Sequence, residues 1–246
     1  MKEIKAGNYV LSLAYTEEEL LNIYKLRYND LILDYNVNTK EKDIDKDEYD
    51  NSCDYLIVKD TKTNEIIGTY RLIQRKHLKS NTFPSESEYN IDNLKKSKYN
   101  ILEVSRAVVH KLHRDGLVIK LLLKGIFEYC KENNIRYLFG TASFHGNDVN
   151  KYEALFSYLF NNYLTNNDLK AIAKEDSTQK INSINNNLSE VEVFRNLPPL
   201  VKTYLKMGAS IGEGIYIDVP FNSIDVFVLL DLENKNERYV DRLLAL

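Results

Sequence analysis

The chain has two cysteines, Cys53 and Cys130, and no tryptophan. Two thiols cannot build the disulfide lattice of a small secreted scaffold, so the fold must be held by its own core, and a reducing compartment is expected. Only 4 prolines and 9 glycines occur, which excludes a collagenous or Pro/Gly-rich disordered chain. Charge of one sign is missing too. The 33 Lys and Arg residues face 36 Asp and Glu, and a net charge of -3 offers no general attraction to a polyanion, which argues against a nucleic-acid partner. No uncharged apolar run reaches the roughly 20 residues of a spanning helix. The best, Leu117 to Cys130, is interrupted by Lys120, Lys124 and Glu128. Residues Met1 to Leu21 contain no apolar core of a secretion signal. A cytoplasmic protein is expected, with at most transient peripheral contact at the inner membrane surface. What is abundant is apolar material, 43% of 246 residues, which is enough for one sizeable core; residues 1–246 read as a single domain.

Tyr9 to Ala14 alternates as a strand does. Thr16 followed by Glu19 is a capping box and predicts a helix through Leu20, Ile23, Leu26 and Leu31. The acidic stretch from Asn36 to Ser52 has no periodicity and reads as a loop. Asp54 to Asp60 and Glu65 to Gln74 flank a polar turn and predict an antiparallel hairpin, with Gly68 marking a bulge. After a loop over Lys79 to Lys98 come a strand over Ile101 to His110, a basic turn over Lys111 to Gly116, an amphipathic helix over Leu117 to Asn133 and a strand over Arg136 to Ala142. That order is a βαβ-like unit. Helices over Asn150 to Leu164 and Leu200 to Met207, and strands over Gly214 to Val219 and Asp225 to Leu232, complete the pattern. The segment near 174–190 is rich in Asn, Ser, Glu and Lys and reads as a flexible polar excursion. The whole predicts an α/β or α+β fold, a mixed twisted sheet with helices on both faces.

The sharpest local feature is Glu103-Val104-Ser105-Arg106 inside an apolar strand. The two-residue period places Glu103, Ser105 and Ala107 on one face and Arg106 on the other. A buried Glu and Arg are costly unless paired or facing a cleft, so the segment is either a structural ion pair or a site. The turn that follows ends in Gly116 at a helix start, where backbone N–H groups and the helix dipole suit a phosphate. Gly208, Gly212 and Gly214 do not have the spacing of a dinucleotide fingerprint. His110 and His113 lack a completing ligand set, so no metal site is expected.

Several segments together carry a family resemblance: Leu26-Arg27-Tyr28; Asp47, Asp50 and Asp54; Gly68-Thr69-Tyr70-Arg71-Leu72; Leu102 to Arg106; and His113-Arg114-Asp115-Gly116. In this order they resemble the successive motifs of GNAT-superfamily N-acyltransferases that use acyl carrier protein thioesters. Two branches share them, the acyl-homoserine lactone synthases and the ornithine-lipid-type, hemolysin-like N-acyltransferases. Phe139 to Phe144, Leu197 to Ala209 and Phe221 to Val226 resemble the second branch.

The resemblance implies a GNAT-like sheet splayed in the middle, where the strands over Ile101 to His110 and Arg136 to Ala142 admit a pantetheine arm. It implies no tightly bound cofactor and an acyl-phosphopantetheine thioester as co-substrate, carried by acyl carrier protein or, alternatively, by coenzyme A. Ala107, Val108 and Val109, with His113, Arg114, Asp115 and Gly116, would bind that donor. The turn has fewer glycines than in acetyltransferases, which favours a carrier protein, and Lys111, Arg114, Lys120 and Lys124 would dock that acidic partner. Glu103, Arg106 and Arg71 would be catalytic, with Glu103 accepting the proton of the attacking amine. Arg27, Asp47, Asp50 and Ser105 would order the acceptor pocket. Phe127, Leu138, Phe139 and Phe144 are candidates for an acyl tunnel. The implied reaction moves a 3-hydroxy fatty acyl or other fatty acyl group to the α-amine of a small amino acid, ornithine first among them. A homoserine-lactone synthase acting on S-adenosylmethionine, and a non-catalytic protein that binds acylated carrier or lipid, are the alternatives.

Overall fold

The computed structural model describes residues 1–35, 37, 43–174 and 189–245. Most of the expected polar excursion, 175–188, lies outside the described residues, as do 36 and 38–42 of the acidic loop. The strands are β1 (Ile4–Ala6), β2 (Tyr9–Leu13), β3 (Asp54–Asp60), β4 (Ile66–Gln74), β5 (Tyr89–Asn90), β6 (Asn100–Val109), β7 (Ile135–His145), β8 (Ile172–Ala173), β9 (Ser210–Ile211), β10 (Tyr216–Asp218) and β11 (Ser223–Asp231). The helices are α1 (Glu17–Arg27), α2 (Asp92–Lys95), α3 (Leu117–Glu132), α4 (Glu153–Asn162), α5 (Glu190–Asn196), α6 (Pro199–Lys206) and α7 (Glu237–Leu244). The fold class is the expected one, α/β with an open sheet flanked by helices. No helix among the described residues is long and apolar enough to cross a membrane.

The chain forms two compact units. One comprises Met1–Phe83, Asn100–Arg136 and the residues from Val240 onward. Its strands run antiparallel in the order β1-β2-β3-β4-β6. Side-chain alternation assigns the two faces. Tyr55 and Ile57 of β3 pack with Ile23, Tyr24 and Leu26 of α1, whereas Leu56 and Leu11 meet α3 at Gly125. A Cβ on Gly125 would sit 2.6 Å from Leu11 Cδ2, and one on Gly68 2.5 Å from Val118 Cγ1. These two positions let α3 lie directly on the sheet.

Helix α1 starts where the capping box requires: Thr16 Oγ1 accepts from Glu19 N, and Glu19 Oε2 accepts from the N–H groups of Tyr15 and Thr16. It does not continue to Leu31 as a regular helix. Beyond Arg27 the turn widens into a π-helical segment, Tyr28–Ile32, closed by Leu33 N on Tyr28 O at 3.1 Å. Asp30, in that segment, is buried. A single wide turn of this kind re-aims side chains without ending the helix.

Two register shifts mark the central hairpin and its neighbour. Opposite Val58 and Lys59, β4 carries Ile67 as an extra residue beside Gly68, at the expected bulge. Between β4 and β6, Arg71 faces Ser105 and Thr69 faces Val108, so β6 has two residues, Arg106 and Ala107, opposite Tyr70. Arg106 adopts φ +52° there.

The other unit comprises Pro84–Tyr99 and Tyr137–Tyr239. Its β7-β11-β10 ladder is antiparallel, β9 pairs with β11, and β5 pairs with β8. Phe139 stacks on Phe227, and Phe144 packs edge-on to Tyr152 and Phe156. Tyr89, fully buried, donates its hydroxyl to Asp225 O at 2.9 Å. Helix α5 has its own capping box, Ser189 with Glu192.

Candidate active site

Asp47 and Asp50 owe their positions to a 3₁₀ turn, Glu48–Asn51, in which each caps the other: Asp50 Oδ2 accepts from Asp47 N at 2.8 Å and Asp47 Oδ1 from Tyr49 N at 3.0 Å. Both carboxylates are thereby aimed at the face of the sheet that α1 covers. Arg27, the last residue of α1, donates from Nε to Asp45 Oδ2 at 2.8 Å, and from Nη1 to Asp50 Oδ1 at 2.9 Å and to Tyr55 Oη at 2.6 Å. Tyr55 Oη in turn donates to Asp50 Oδ1. From β4, Arg71 donates from Nη1 to both oxygens of Asp47 at 2.6 and 2.7 Å and to Asp50 Oδ1 at 2.9 Å, and from Nε to Ser105 Oγ at 3.0 Å. Arg106 reaches Asp45 Oδ2 and Asp47 Oδ2, each at 3.4 Å.

Burial opposes the charge on Arg27, Arg71, Arg106 and Asp50. At Arg27 it is outweighed by Tyr55, Asp45 and Asp50, and at Arg71 by Asp47 and Tyr55, so both guanidinium groups are held more firmly protonated than usual. Asp50, between Arg27 and Arg71 and bonded by Tyr55, is held below the ordinary carboxylate range. Arg106 differs: desolvation, joined by repulsion from Arg71 and Arg27 and opposed by Asp45 and Asp47, lowers its pKa. Burial pushes the Cys53 thiol, next to the same turn, up to about 12, so it is no thiolate nucleophile at neutral pH. Buried ion pairs contribute little net stability, because desolvation consumes the attraction between the charges. A cluster of three arginines and three aspartates is therefore better understood as a device for holding charges in place.

Glu103 is 1% exposed and faces Ile73 across the β4–β6 ladder, two positions from Ser105 on the same strand. The ring of Tyr49 lies over Arg71, 5.9 Å from Cζ to the centroid. Burial, Glu48 and Glu103 together raise the phenol's pKa, which keeps it neutral. The structure thus brings Arg27, Arg71, Arg106, Asp47, Asp50 and Ser105 into one network and sets Glu103 beside it on β6.

The two-residue period misassigned two of these positions. Because β6 bulges at Arg106, the alternation resets: Val108, not Ala107, shares the face of Glu103 and Ser105, and packs with Tyr55 and Ile57. Arg106, expected on the opposite face, swings into the cluster. Asp45 and Tyr55 were not anticipated. The Asp43-Ile44-Asp45-Lys46-Asp47 alternation was the available signal for Asp45, whereas Tyr55 looked like any strand aromatic.

The turn after β6 is cross-linked to the π-helical segment. Asp30 Oδ1 accepts from Lys111 N at 2.9 Å, and Arg114 donates to Val109 O, Asp30 O and Asp34 Oδ2 at 2.8–3.0 Å. Asp115 caps Leu117 N at 2.9 Å, and His113 Nδ1 meets Tyr9 Oη at 3.0 Å. The N–H groups of Lys111 and Leu117 are therefore occupied by the protein itself. Gly116 has φ +100° with open space where a Cβ would be, so the backbone there needs glycine for conformation alone. Lys111 and Lys120 are exposed. His110 and His113 pack ring to ring, with centroids 5.6 Å apart. Phe139 and Phe144, candidates for an acyl tunnel, are buried in the second unit. There, Glu88, Asp218 and Asp225 bring carboxylates within 4.8 Å of one another.

Residues 26–124, which contain this network and the turn, match the model of an acetyltransferase (GNAT) domain. Among solved structures, the chain is similar to the AHL synthase LasI, at 14% identity and a TM-score of 0.51, covering 96% of this chain and 95% of that one. It is also similar to a CoA-dependent acyl-homoserine lactone synthase, MesI, at 12% identity and a TM-score of 0.52, covering 96% and 95%. The matched domain, with the acyltransferase relatives, defines a GNAT-type acyltransferase.

Sequence relatives narrow the class. The chain is 36% identical over 209 residues to an L-ornithine N(alpha)-acyltransferase of Brucella abortus, covering 80% of this chain and 73% of the relative. It is 29% identical over 243 residues to one of Rhodobacter capsulatus, covering 94% and 93%. The chain belongs to the L-ornithine N(alpha)-acyltransferase family.

Proposed function

We propose that this protein transfers a fatty acyl group, such as a 3-hydroxy fatty acyl group, from a phosphopantetheine thioester to the α-amine of ornithine. The observation that carries this reading is its similarity, over 80–94% of its length, to relatives bearing that name; the strand-borne Glu103 beside an arginine–aspartate network supplies a chemical rationale. The α-nitrogen attacks the thioester carbonyl, the C–N bond forms as the C–S bond breaks, and an amide and a free thiol result. The amine is an ammonium near neutral pH, so a proton must leave before attack. Glu103 takes that proton, directly or through one water, and passes it to bulk water; it then takes the second proton, which the nitrogen sheds as the C–N bond forms, and gives that one to the departing thiolate. Backbone N–H groups near Ala107 to Val109 face the developing oxyanion.

Acyl carrier protein is the proposed donor, with acyl-coenzyme A the other candidate. Lys111 and Lys120 are exposed and suit an acidic carrier, whereas Arg114 already serves Asp30 and Asp34 and contributes less. The test is incubation of the purified protein with ornithine and, in turn, long-chain acyl carrier protein, long-chain acyl-coenzyme A and acetyl-coenzyme A. N-acyl-ornithine is followed by mass spectrometry, alongside thiol release. Long-chain carrier thioester should be the best donor. No amide from any long-chain donor would overturn the reading, and a preference for acetyl-coenzyme A would reassign the donor.

A further inference from the structure

Ornithine carries two amines, and the three arginines of the cluster are not equivalent toward such an acceptor. The side chains of Arg27 and Arg71 are 0% and 2% exposed and hold their partners at 2.6–3.0 Å. Arg106 is 28% exposed and meets Asp45 and Asp47 at 3.4 Å, and Asp47 is itself 26% exposed. A solute therefore meets the cluster along its Arg106–Asp47 edge. The β6 bulge holds Arg106 in left-handed backbone, a conformation that strains a non-glycine residue and marks sites where direction matters more than stability. Its effect is to turn Arg106 onto the side of Ser105, three positions along the strand from Glu103.

Resting on the acyl-transfer reading above, we propose that Arg106 is the specificity residue that receives the acceptor's α-carboxylate as a bidentate fork, and that this contact selects the α-nitrogen for acylation. An incoming carboxylate replaces Asp47 at Arg106 without orphaning it, because Arg71 still holds both oxygens of Asp47. The α-nitrogen shares a carbon with the anchored carboxylate and is fixed near Glu103. The side-chain nitrogen, on the third methylene, is kept away from it.

The experiment compares ornithine with ornithinamide, in which a neutral amide replaces the carboxylate. With the wild-type protein, KM for ornithinamide should be about 10- to 100-fold higher, the range of one lost charge-assisted contact, and its product should include the side-chain amide. Arg106→Gln should raise KM for ornithine by a similar factor, leave ornithinamide nearly unchanged, and release side-chain acylated ornithine, resolved by fragmentation in the mass spectrometer. Equal KM for the two acceptors with the wild-type protein, or a variant that weakens both equally and acylates only the α-nitrogen, would overturn the proposal. Should Arg106→Gln fail to fold, Arg106→Lys, which keeps the charge and loses the fork, gives the same reading: discrimination must shrink. Calorimetric binding of the two acceptors without donor separates the outcomes. A protein that prefers ornithine to ornithinamide but forms no amide sinks the acyl-transfer reading and leaves the role of Arg106 standing.

Discussion

Arg71 Nε donates to Ser105 Oγ at 3.0 Å straight across the β4–β6 ladder, where the two residues face each other in register. The contact fixes the guanidinium plane, and with it the bidentate hold on Asp47. Ser105→Ala should lower stability by about 1.5–3 kcal/mol, the range for a hydrogen bond to a charged group. It should also reduce turnover by loosening Asp47. Urea midpoints and steady-state rates check both, and a variant equal to wild type in each would make Ser105 a bystander.

Asp50→Asn tests the network from its centre. The Asp50 side chain is wholly buried between Arg27 and Arg71, so neutralising it leaves two buried guanidinium groups short of a counter-charge. Breaking a buried pair in this way costs about 3–5 kcal/mol. A midpoint shift corresponding to less than about 1 kcal/mol, the value of an exposed pair, would mean that water screens the cluster.

Glu103→Gln should keep the fold and the binding of acylated donor while turnover falls by about 10²- to 10⁴-fold, the range for a lost general base. The deficit should shrink as pH rises, because more of the acceptor is then already a neutral amine. A parallel pH–rate profile together with a depressed thermal midpoint would assign Glu103 a structural role instead.

How much of this was legible in the sequence depends on how local each determinant is. The start of α1 was readable because Thr16 and Glu19 form the whole signal within four residues, and the β3–β4 hairpin because alternation and its turn are equally local. The stripe of α3 was legible for the same reason. Arg106 was misplaced because a two-residue period carries no information about a bulge, which here is specified by pairing with a strand about 35 residues earlier. Arg114 was expected to face a partner protein, yet its partner Asp34 lies 80 residues away in sequence, at the end of a π-helical turn that no short motif announces. The arginines and aspartates themselves were found through the resemblance, and their roles as buried anchors or exposed edge required the structure.

Glu19 offers a stability prediction with a definite sign. Burial works against its charge, but the Lys59 ammonium at 2.6 Å and the N–H groups of Tyr15 and Thr16 outweigh it and hold the carboxyl down at about 2, against an ordinary 4.5. The folded state therefore binds the proton less readily than the unfolded chain, and stability rises with pH through this window. The contribution is complete above pH 4.5 and is lost as pH falls toward 2. Glu19→Gln retains an acceptor for the capping box and removes only the charge. At pH 7 it should cost about 1 kcal/mol or less, since the pair with Lys59 is partly solvated. Between pH 4.5 and 2 the difference between variant and wild type should vanish, while the rest of the acid transition, to which the lowered Asp50 carboxyl contributes, persists in both. Thermal midpoints across that range decide the matter: a gap between the two proteins that stays constant down to pH 2 would show that Glu19 acts through its shape at the helix start and not through its charge.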